Sequence, residues 1–174
     1  AGEVVSVLKK MPGVNNITPA GSLRRMRETV RDIDILATSA KPKKVTGAFV
    51  KLPMVKDILA HGDTKASILG REGVQVDLRV VAPDSFGAAL VYFTGSQAHN
   101  IRIRHIGKEA GLKINEYGVF NEKTGKRIAG KTESDVYKTI KLPYIEPELR
   151  EDRGEVEAGL RGALPKLVKL SDIR

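Results

Sequence analysis

The sequence predicts an α+β fold with two lobes: a mixed, mostly antiparallel sheet with helices on one face, followed by a smaller α+β lobe. Alternating apolar and polar residues at 32–36 and 74–81 indicate strands that each bury one face. Pro83, in an Ala-Pro-Asp-Ser stretch, marks the boundary and the start of a helix. A chain of 174 residues is long enough for two such lobes around a shared core.

Local patterns define the elements of the first lobe. A short helix over 4–10 should stop at Met11-Pro12-Gly13, and a strand over 16–20 leads into Gly21. Beyond Gly21 the pattern predicts a helix over 23–28. The remaining predictions are strands over 32–36, 55–61, 65–70 and 74–81 and a helix from Lys41 through Leu52 with Val45, Ala48, Phe49 and Leu52 on one face.

A glycine turn divides the second lobe. A helix over 86–93, capped by Asp84 or Ser85, should end at Thr94-Gly95-Ser96, and Ser96 can cap a helix over 97–110. The other predicted elements are a strand over 113–120, a hairpin turn at Gly125-Lys126 with a partner strand at 127–129, and a helix from its cap Thr132 through Leu142.

The composition favours a negatively charged partner. Lys and Arg number 30 against 21 Asp and Glu, a net charge of +9, which suits nucleic acid or a nucleotide. The absence of cysteine excludes a disulfide framework and thiolate metal ligands. With no long apolar run and no signal peptide, we expect a cytoplasmic protein that does not enter a membrane.

Paired acids occur on the first alternating strand. Period-two geometry puts Asp32 and Asp34 on one face, opposite Ile33 and Ile35. Two carboxylates this close repel each other, and a bound Mg²⁺ or Mn²⁺ with its preference for oxygen ligands would relieve that repulsion. A solvated strand edge is the alternative, because acids commonly alternate on exposed strands.

A third acid lies on the strand over 74–81. Asp77 shares a face with Gln75 and Arg79, and pairing this strand with the first would bring Asp77 beside Asp32 and Asp34. Three carboxylates on one sheet face can hold two metal ions about 3.5–4 Å apart. The alternative is a surface ion pair between Asp77 and Arg79.

Two further features suit phosphate and base recognition. The turn at Gly21-Ser22 can cradle a phosphate, which the guanidinium of Arg24 or Arg25 would neutralise. On the helix over 97–110, one stripe contains Gln97, Asn100, Arg104 and Gly107 or Lys108. The gap at Gly107 would admit a base pair, although an ordinary solvated helix face has the same pattern.

These motifs together resemble the family X DNA polymerases, in particular the bacterial and archaeal branch and DNA polymerase beta-like enzymes. The resemblance runs from about residue 3 to residue 153. It rests on Gly21-Ser22-Leu23-Arg24-Arg25, Asp32-Ile33-Asp34, Val76-Asp77-Leu78-Arg79, Tyr92-Phe93-Thr94-Gly95-Ser96, Ile114-Asn115-Glu116-Tyr117 and Leu142-Pro143-Tyr144-Ile145-Glu146-Pro147.

The resemblance implies a domain organisation. Residues 1–82 correspond to the catalytic nucleotidyltransferase palm, 83–153 to the nucleotide-selecting thumb, and 154–174 to a linker towards a C-terminal metal-dependent phosphoesterase (PHP) domain. We expect that domain to be absent here, together with the N-terminal helix-hairpin-helix and lyase region, so that the chain is a palm-and-thumb core.

The resemblance also implies an activity and its partners. The expected reaction is template-directed transfer of dNMP from a dNTP to a primer 3′-hydroxyl with release of pyrophosphate, in gap-filling DNA repair. The expected partners are a primer–template or gapped DNA and a dNTP. Two Mg²⁺ or Mn²⁺ ions are expected at the site, and the protein is expected to be a monomer.

Roles for individual residues follow from the same resemblance. Asp32 and Asp34 would bridge both metal ions, and Asp77 would hold the ion that acidifies the 3′-hydroxyl. The triphosphate would bind at Gly21, Ser22 and Arg25. Contacts to the nucleotide are implied for Tyr92, Phe93, Gly95, Gln97 and Asn100, a contact to the template strand for Arg104, and an ion pair formed on thumb closure for Arg79 and Glu116.

Three positions depart from the family pattern. Arg31 stands where many relatives have glycine, at a position whose backbone faces the γ-phosphate. Gln75 stands where the vertebrate enzymes have arginine, and Gln97 replaces an aspartate near the incoming base. Of the histidines, none is assigned to a metal, and a packed or solvated residue is the favoured interpretation of His99.

Two other functions fit the sequence. The chain could be a nucleotide-binding module that is inactive without its lyase and fingers regions. It could also be another nucleotidyltransferase on the same core, acting on RNA ends or small molecules, although the motif from Tyr92 to Asn100 argues against this. Primer extension at low salt separates a polymerase from a binding module, because DNA affinity falls with salt.

Overall fold

A computed structural model of the chain describes residues 1–11, 13–168 and 172. The predicted helix stop at Pro12 and most of the predicted linker beyond residue 168 lie outside these residues. The helices are α1 (Gly2–Lys9), α2 (Gly21–Arg24), α3 (Pro42–Phe49), α4 (Phe86–Thr94), α5 (Gln97–Glu109), α6 (Glu133–Thr139) and α7 (Glu155–Leu160). The strands are β1 (Val14–Pro19), β2 (Asp32–Ser39), β3 (Val55–His61), β4 (Lys65–Gly70), β5 (Gln75–Val81), β6 (Leu112–Asn115), β7 (Gly118–Asn121) and β8 (Arg127–Ala129).

The predicted α+β fold with a mixed, mostly antiparallel sheet is confirmed. Five strands form the first sheet in the order β1-β2-β5-β4-β3. Only the central pair, β2 with β5, is parallel, and the chain between them forms α3 and the β3–β4 hairpin. The second sheet has three antiparallel strands in the order β6-β7-β8.

The central parallel pair sets the positions of the acids. Asp34 lies opposite Asp77, and Asp32 lies opposite Gln75. The intervening residues point to the other face, where Ile35 and Val76 are buried. Alternation on both strands therefore collects carboxylates on one face and aliphatic side chains on the other, as the sequence predicts.

Each face of the first sheet has its own packing partners. Helices α1 and α3 cover the aliphatic face, where Leu8 and Phe49 are fully buried against the strands. On the opposite face, Leu36 continues the row of Asp32 and Asp34 and packs against Leu90 of α4. Helix α4 thus covers the end of the acidic face and brings the second lobe against it.

The second lobe packs around a separate aliphatic cluster. Ile103 of α5, Val136 of α6 and Val119 of the second sheet are buried in this cluster. Helix α7 adds Val156 to this cluster. The weak helical pattern of the tail therefore forms a helix that packs on the lobe, with Arg102 of α5 and Glu157 of α7 joined at 2.6 Å.

The strand predicted over 113–120 is wrong, because the chain turns back within it. Asn115 ends β6, and its side-chain oxygen accepts hydrogen bonds from the backbone N–H groups of Tyr117 and Gly118. An asparagine side chain that bonds to the backbone two residues further on is a common turn device. Two short antiparallel strands, β6 and β7, replace the single predicted one.

Three helices are shorter than predicted. Helix α2 ends at Arg24 because the backbone leaves the helical region at Met26, which has a φ of 55°. Helices α3 and α6 end before Leu52 and Leu142. Both of these leucines precede a proline, whose ring disfavours the helical conformation of the residue before it.

Two details of the second lobe also correct the predictions. Gly107 is not a gap for a base pair, because a Cβ there would lie 2.8 Å from Ile114 Cδ1, and the glycine instead admits β6. Ser85 precedes α4 but does not cap it, since its hydroxyl donates to the Tyr117 carbonyl. The predicted caps Ser96 and Thr132 are confirmed and accept from the N–H groups of His99 and Asp135.

No helix among the described residues is long and apolar enough to cross a membrane.

The start of α4 lies in close contact with the backbone before α6, so a substitution there tests the packing of the second lobe. Gly87 donates its N–H to the Lys131 carbonyl, and a Cβ at this position would lie 2.1 Å from the Thr132 carbonyl carbon. We expect Gly87→Ala to destabilise the chain by about 1–3 kcal/mol, since backbone atoms must move to admit the methyl group. Urea unfolding measures the change.

Gly47 provides the matched control. It lies in α3, and a Cβ there would have no atom within 4 Å. Gly47→Ala should be neutral or stabilising by up to about 1 kcal/mol, because alanine is the better helix former. Equal effects of the two substitutions would contradict the close contact at Gly87.

Candidate functional site

Most of the residues predicted from the sequence line one cleft between the acidic face of the first sheet and the α4–α5 turn. Its volume is about 480 Å³. Three predicted residues, Asp77, Arg79 and Glu116, are outside its lining, and one residue that was not predicted, Thr94, belongs to it. The lining consists of Gly21, Ser22, Arg25, Asp32, Asp34, Tyr92, Phe93, Thr94, Gly95, Gln97, Asn100 and Arg104.

The carboxylates at the floor of the cleft influence one another. Burial, together with the negative charges of Asp32 and Asp77, raises the pKa of the Asp34 carboxyl to about 6. Arg25 and Arg79 oppose this shift but do not cancel it. The three acids are therefore close enough to repel each other, as predicted from the strand pairing.

The carboxylate of Asp77 is held by two neighbours in the sheet. Ser67 Oγ on β4 donates to one carboxylate oxygen, and Gln75 Nε2 donates to the other at 2.9 Å. Ser67 is a site residue that sequence reasoning missed, because only the β4–β5 register places it opposite Asp77.

The donor set fits a divalent cation, although its geometry is not that of a closed metal centre. Within the described part of the chain, no three His, Cys, Asp or Glu side chains are grouped so as to hold a metal ion. Carboxylates are nevertheless the hard oxygen ligands that Mg²⁺ and Mn²⁺ prefer, and a cation would relieve the repulsion at Asp34. Metal binding by Asp32, Asp34 and Asp77 stays a prediction.

The turn at Gly21 lies directly against the acids. A Cβ at Gly21 would come within 2.1 Å of Asp34 Oδ2, and its φ of 59° is one that other residues rarely adopt. Only glycine therefore allows α2 to start beside the carboxylate. This contact places the half-buried Ser22, the predicted phosphate ligand, at the edge of the cleft.

Arg25, the predicted triphosphate ligand, crosses the cleft. Its Nε donates to Glu151 Oε1 at 2.8 Å, and its Nη1 donates to the Thr94 carbonyl. The side chain is 14% exposed, so its orientation is set by these two partners. Arg25 links the first lobe to the far end of the second.

The adjacent Arg24 belongs to a buried ion cluster. It makes two hydrogen bonds to the Glu133 carboxylate, at 2.8 and 2.7 Å, and one to Thr94 Oγ1 at 2.7 Å. Arg150, which is fully buried, donates to the same carboxylate at 2.8 Å. Sequence reasoning missed this cluster, because no local pattern connects residues that are 109 positions apart.

Aromatic side chains form one wall of the cleft. Tyr92 and Phe93 meet edge to face with ring centroids 5.1 Å apart. The guanidinium of Arg79 lies 5.0 Å from the Phe93 ring centroid. Arg79 and Glu116 form no ion pair in this structure, where the salt bridges of the described residues join other partners.

Gly95 lies where the chain passes over Arg25. Its φ is 73°, and a Cβ would lie 3.0 Å from Arg25 Nη1. The peptide bond from Gly95 to Ser96 is cis, and the Ser96 N–H donates to the Arg150 carbonyl. The loop between α4 and α5 is thus tied to both arginines.

The first turns of α5 place polar groups in the cleft. Asn100 donates from Nδ2 to the Tyr92 carbonyl at 2.7 Å, and its buried Oδ1 has no hydrogen-bond partner. Arg104 Nε donates to the Asn100 carbonyl at 3.2 Å. Asn100 therefore belongs to the cleft lining, with one amide oxygen that is buried and unpaired.

The ion cluster around Glu133 predicts a pH-dependent stability. Burial opposes ionisation, but hydrogen bonds from Arg24 and the charge of Arg150 outweigh it and hold the pKa of Glu133 below its usual value. The carboxylate therefore stabilises the fold above its unfolded pKa of 4.5, and this contribution is lost as the pH falls through the folded pKa. Near neutral pH, Glu133→Gln should cost about 3–5 kcal/mol, because it leaves Arg150 buried without a counter-charge.

Urea unfolding of wild type and Glu133→Gln at several pH values measures this. The difference should shrink at acidic pH, since a protonated glutamate resembles glutamine. Glu157→Gln, which removes a carboxylate from an ion pair that is 41% and 43% exposed, is the control and should have little effect at any pH. A Glu133→Gln deficit that is unchanged at low pH would show that its charge is not the cause.

Comparison with known proteins identifies the family. Residues 89–151 match the family described as DNA polymerase beta thumb. The chain is 40% identical over 159 residues to the DNA polymerase/3′-5′ exonuclease PolX of Bacillus subtilis, covering 90% of the chain but 28% of that relative. It is 30% identical over 161 residues to DNA polymerase lambda of Rattus norvegicus, covering 75% of the chain and 28% of that protein.

A shorter relative matches along most of its length. The Repair DNA polymerase X of African swine fever virus is 28% identical over 156 residues, which is 86% of each chain. The resemblance predicted from the sequence is confirmed, and the chain belongs to the family X DNA polymerases.

Proposed function

We propose that this chain is a DNA polymerase core that transfers dNMP from a dNTP to the 3′-hydroxyl of a primer, directed by a template, in gap-filling repair. The observation that carries this proposal is the single cleft, in which Asp32 and Asp34 face both the Gly21-Ser22 turn and the first turn of α5. Groups for metal, phosphate and base recognition thus share one space.

The proposed chemistry begins at the acids. The primer 3′-oxygen attacks the α-phosphorus and gives up its proton to water, while the bond from that phosphorus to the bridging oxygen breaks and pyrophosphate leaves. Asp32, Asp34 and Asp77 would hold two Mg²⁺ or Mn²⁺ ions, which when bound supply acidification of the 3′-hydroxyl and neutralisation of phosphate charge. The orientation of Asp77 by Ser67 and Gln75 supports its role beside the primer end.

The groups proposed to bind phosphate are the Gly21-Ser22 turn and Arg25. Gly21 brings backbone and the Ser22 hydroxyl to the edge of the cleft, and Arg25 presents a guanidinium whose Nε is held by Glu151. A guanidinium held in place loses less entropy on binding a phosphate than a free one. We assign Gly21, Ser22 and Arg25 to the triphosphate.

The groups proposed to recognise the sugar and the base lie on the opposite wall of the cleft, on α4, α5 and the turn between them. Tyr92 and Phe93 would pack against the sugar, and Gly95 would let the backbone approach it. Gln97 and Asn100 would contact the incoming base, and their position in the cleft lining supports this role. Arg104 would reach the template strand. Arg79, which lies over the Phe93 ring in this structure, would leave that ring and form an ion pair with Glu116 when the thumb closes.

We also propose the corresponding division of the chain. Residues 1–82 form the palm, 83–153 the thumb and 154–174 a linker that begins with α7. Two separate aliphatic clusters, one in each sheet region, support this division. The short helix Pro83–Ser85 lies at the boundary.

The acids give the first test of the activity. Asp34→Asn should reduce single-nucleotide extension of a gapped primer–template by about a thousandfold, since metal-assisted catalysis supplies several kcal/mol. Asp63→Asn, at an ion pair with Lys43 that is 74% and 82% exposed, is the matched control and should extend normally. Rates with Mg²⁺ and with Mn²⁺ at low salt measure both variants.

The same assay separates the alternatives. Nucleotide binding without extension by the wild type would favour a binding module. Transfer that ignores the template, or that prefers RNA ends, would favour another nucleotidyltransferase. Extension that Asp34→Asn leaves unchanged would contradict the assignment of the carboxylates.

Arg25 gives a separate test of phosphate binding. Arg25→Ala should weaken dNTP binding about 10- to 100-fold, because a hydrogen bond to a charged group is worth about 1.5–3 kcal/mol. Arg27→Ala is the control: Arg27 also approaches Glu151, at 3.7 Å, but it is 44% exposed and does not line the cleft. Titration of a fluorescent dNTP measures both, and equal losses would contradict a specific role of Arg25.

A further inference from the structure

A buried histidine lies behind the base-contacting face of α5. His99 has no exposed surface, although it is next to Asn100 and in the same turn as Gln97. Its Nδ1 lies 2.7 Å from Glu155 Oε1 on α7, and its Nε2 lies 2.9 Å from the Tyr137 hydroxyl on α6. One imidazole ring therefore joins three helices.

The chemistry of the partners determines where the protons are. Burial lowers the pKa of His99 and keeps its ring neutral. A carboxylate can only accept, so Nδ1 carries the proton and donates it to Glu155. Nε2 is then the acceptor, and the Tyr137 hydroxyl donates to it. Every polar group of this chain of hydrogen bonds is satisfied.

Glu155 must be a carboxylate to satisfy its neighbours. Its Oε1 accepts from His99 and from the Asp152 N–H at 2.9 Å, and its Oε2 accepts from the Arg153 N–H at 2.7 Å. A glutamine has one acceptor oxygen, so its NH₂ group would face one of these donors. An acidic residue in the first turn of a helix usually needs only its negative charge there. Glu155, in contrast, needs both carboxylate oxygens as hydrogen-bond acceptors.

The position of His99 also controls the first turn of α5. Ser96 Oγ accepts from the His99 N–H at 3.2 Å, and the Ser96 N–H donates to the Arg150 carbonyl. Movement of His99 would shift Gln97 and Asn100 in the same turn, and both of these residues line the cleft. Helix α7, which holds His99, lies beyond the 89–151 region that matches the thumb family.

We infer that Glu155 is a positioning residue for the incoming nucleotide: through His99 it holds the first turn of α5 so that Gln97 and Asn100 meet the base. This inference rests on the proposed function. Glu155 does not line the cleft, and its link to the first turn of α5 runs through the histidine. The segment after the thumb thereby takes part in nucleotide binding.

Two matched controls separate positioning from general stability. Arg102 and Glu157 join the same helices, α5 and α7, on their exposed side. Tyr144, like Tyr137, has its ring against the Arg150 guanidinium, at 5.4 and 5.3 Å, but its hydroxyl has no bond to His99. Glu157→Gln therefore breaks another contact between the same two helices, Tyr144→Phe removes a hydroxyl from the other ring on Arg150, and neither removes a bond to His99.

The experiment is single-turnover extension of gapped DNA over a range of dNTP concentrations, with thermal unfolding of each variant. Glu155→Gln should raise the Kd for dNTP about tenfold, the effect of losing one buried charge-assisted hydrogen bond. Its maximal rate should change far less, and Glu157→Gln should retain the wild-type Kd. A lowered Tm with an unchanged Kd would overturn the inference, because the pair would then be structural only.

Tyr137→Phe is the second variant, and it tests the same inference if Glu155→Gln does not fold. It removes only the donor to Nε2 and should raise the Kd for dNTP relative to Tyr144→Phe. Equal Kd values for these two variants would overturn the inference. Failure of the wild-type chain to bind dNTP would instead overturn the proposed function, so the two failures are distinguishable.

Discussion

The geometry of the cleft depends on one buried carboxylate. Glu133 is shared by Arg24, which follows the Gly21 turn, and by Arg150, which precedes the Glu151 that holds Arg25. A buried ion cluster adds little stability relative to apolar packing, but it is costly to break and has few acceptable arrangements. Its contribution is therefore the relative placement of the two lobes, since both walls of the cleft are attached to it.

The floor of the cleft differs from the Glu133 cluster, because its acids repel one another. There the fold brings acids together, and burial, with the charges of Asp32 and Asp77, makes ionisation of Asp34 less favourable than that of a free aspartate. The Glu133 carboxylate is paired with two guanidinium groups, although Arg150 Nη2 is left without a hydrogen-bond partner, whereas the acidic face has an excess of negative charge and Asn100 Oδ1 has no partner. A site that binds a ligand needs such incomplete groups, and the surrounding satisfied contacts hold them in place.

The sequence predicts the parts of this molecule that depend on local pattern. Alternation located β2 and β5, and their pairing explains why Asp34 and Asp77 are neighbours. Contacts between distant segments were not predictable, such as Ser67 with Asp77 or Arg24 with Glu133, because composition and spacing carry no information about them. The shortened helices are a different case, since the prolines after Leu52 and Leu142 were visible in the sequence and outweighed helical periodicity.

The strand order has a consequence for how the acidic face assembles. The first sheet consists of two locally connected units, β1 with β2 and β3 with β4 and β5, joined only by the parallel pair β2–β5. Strands β3, β4 and β5 are linked by short turns and form early, and the 20–31 link between β1 and β2 is still shorter than the 40–74 stretch that the parallel contact must close. Asp34 and Asp77 belong to different units. We therefore expect the acids to meet only when two preformed antiparallel units dock late in folding. Their repulsion should slow this docking step and leave the formation of each unit unaffected.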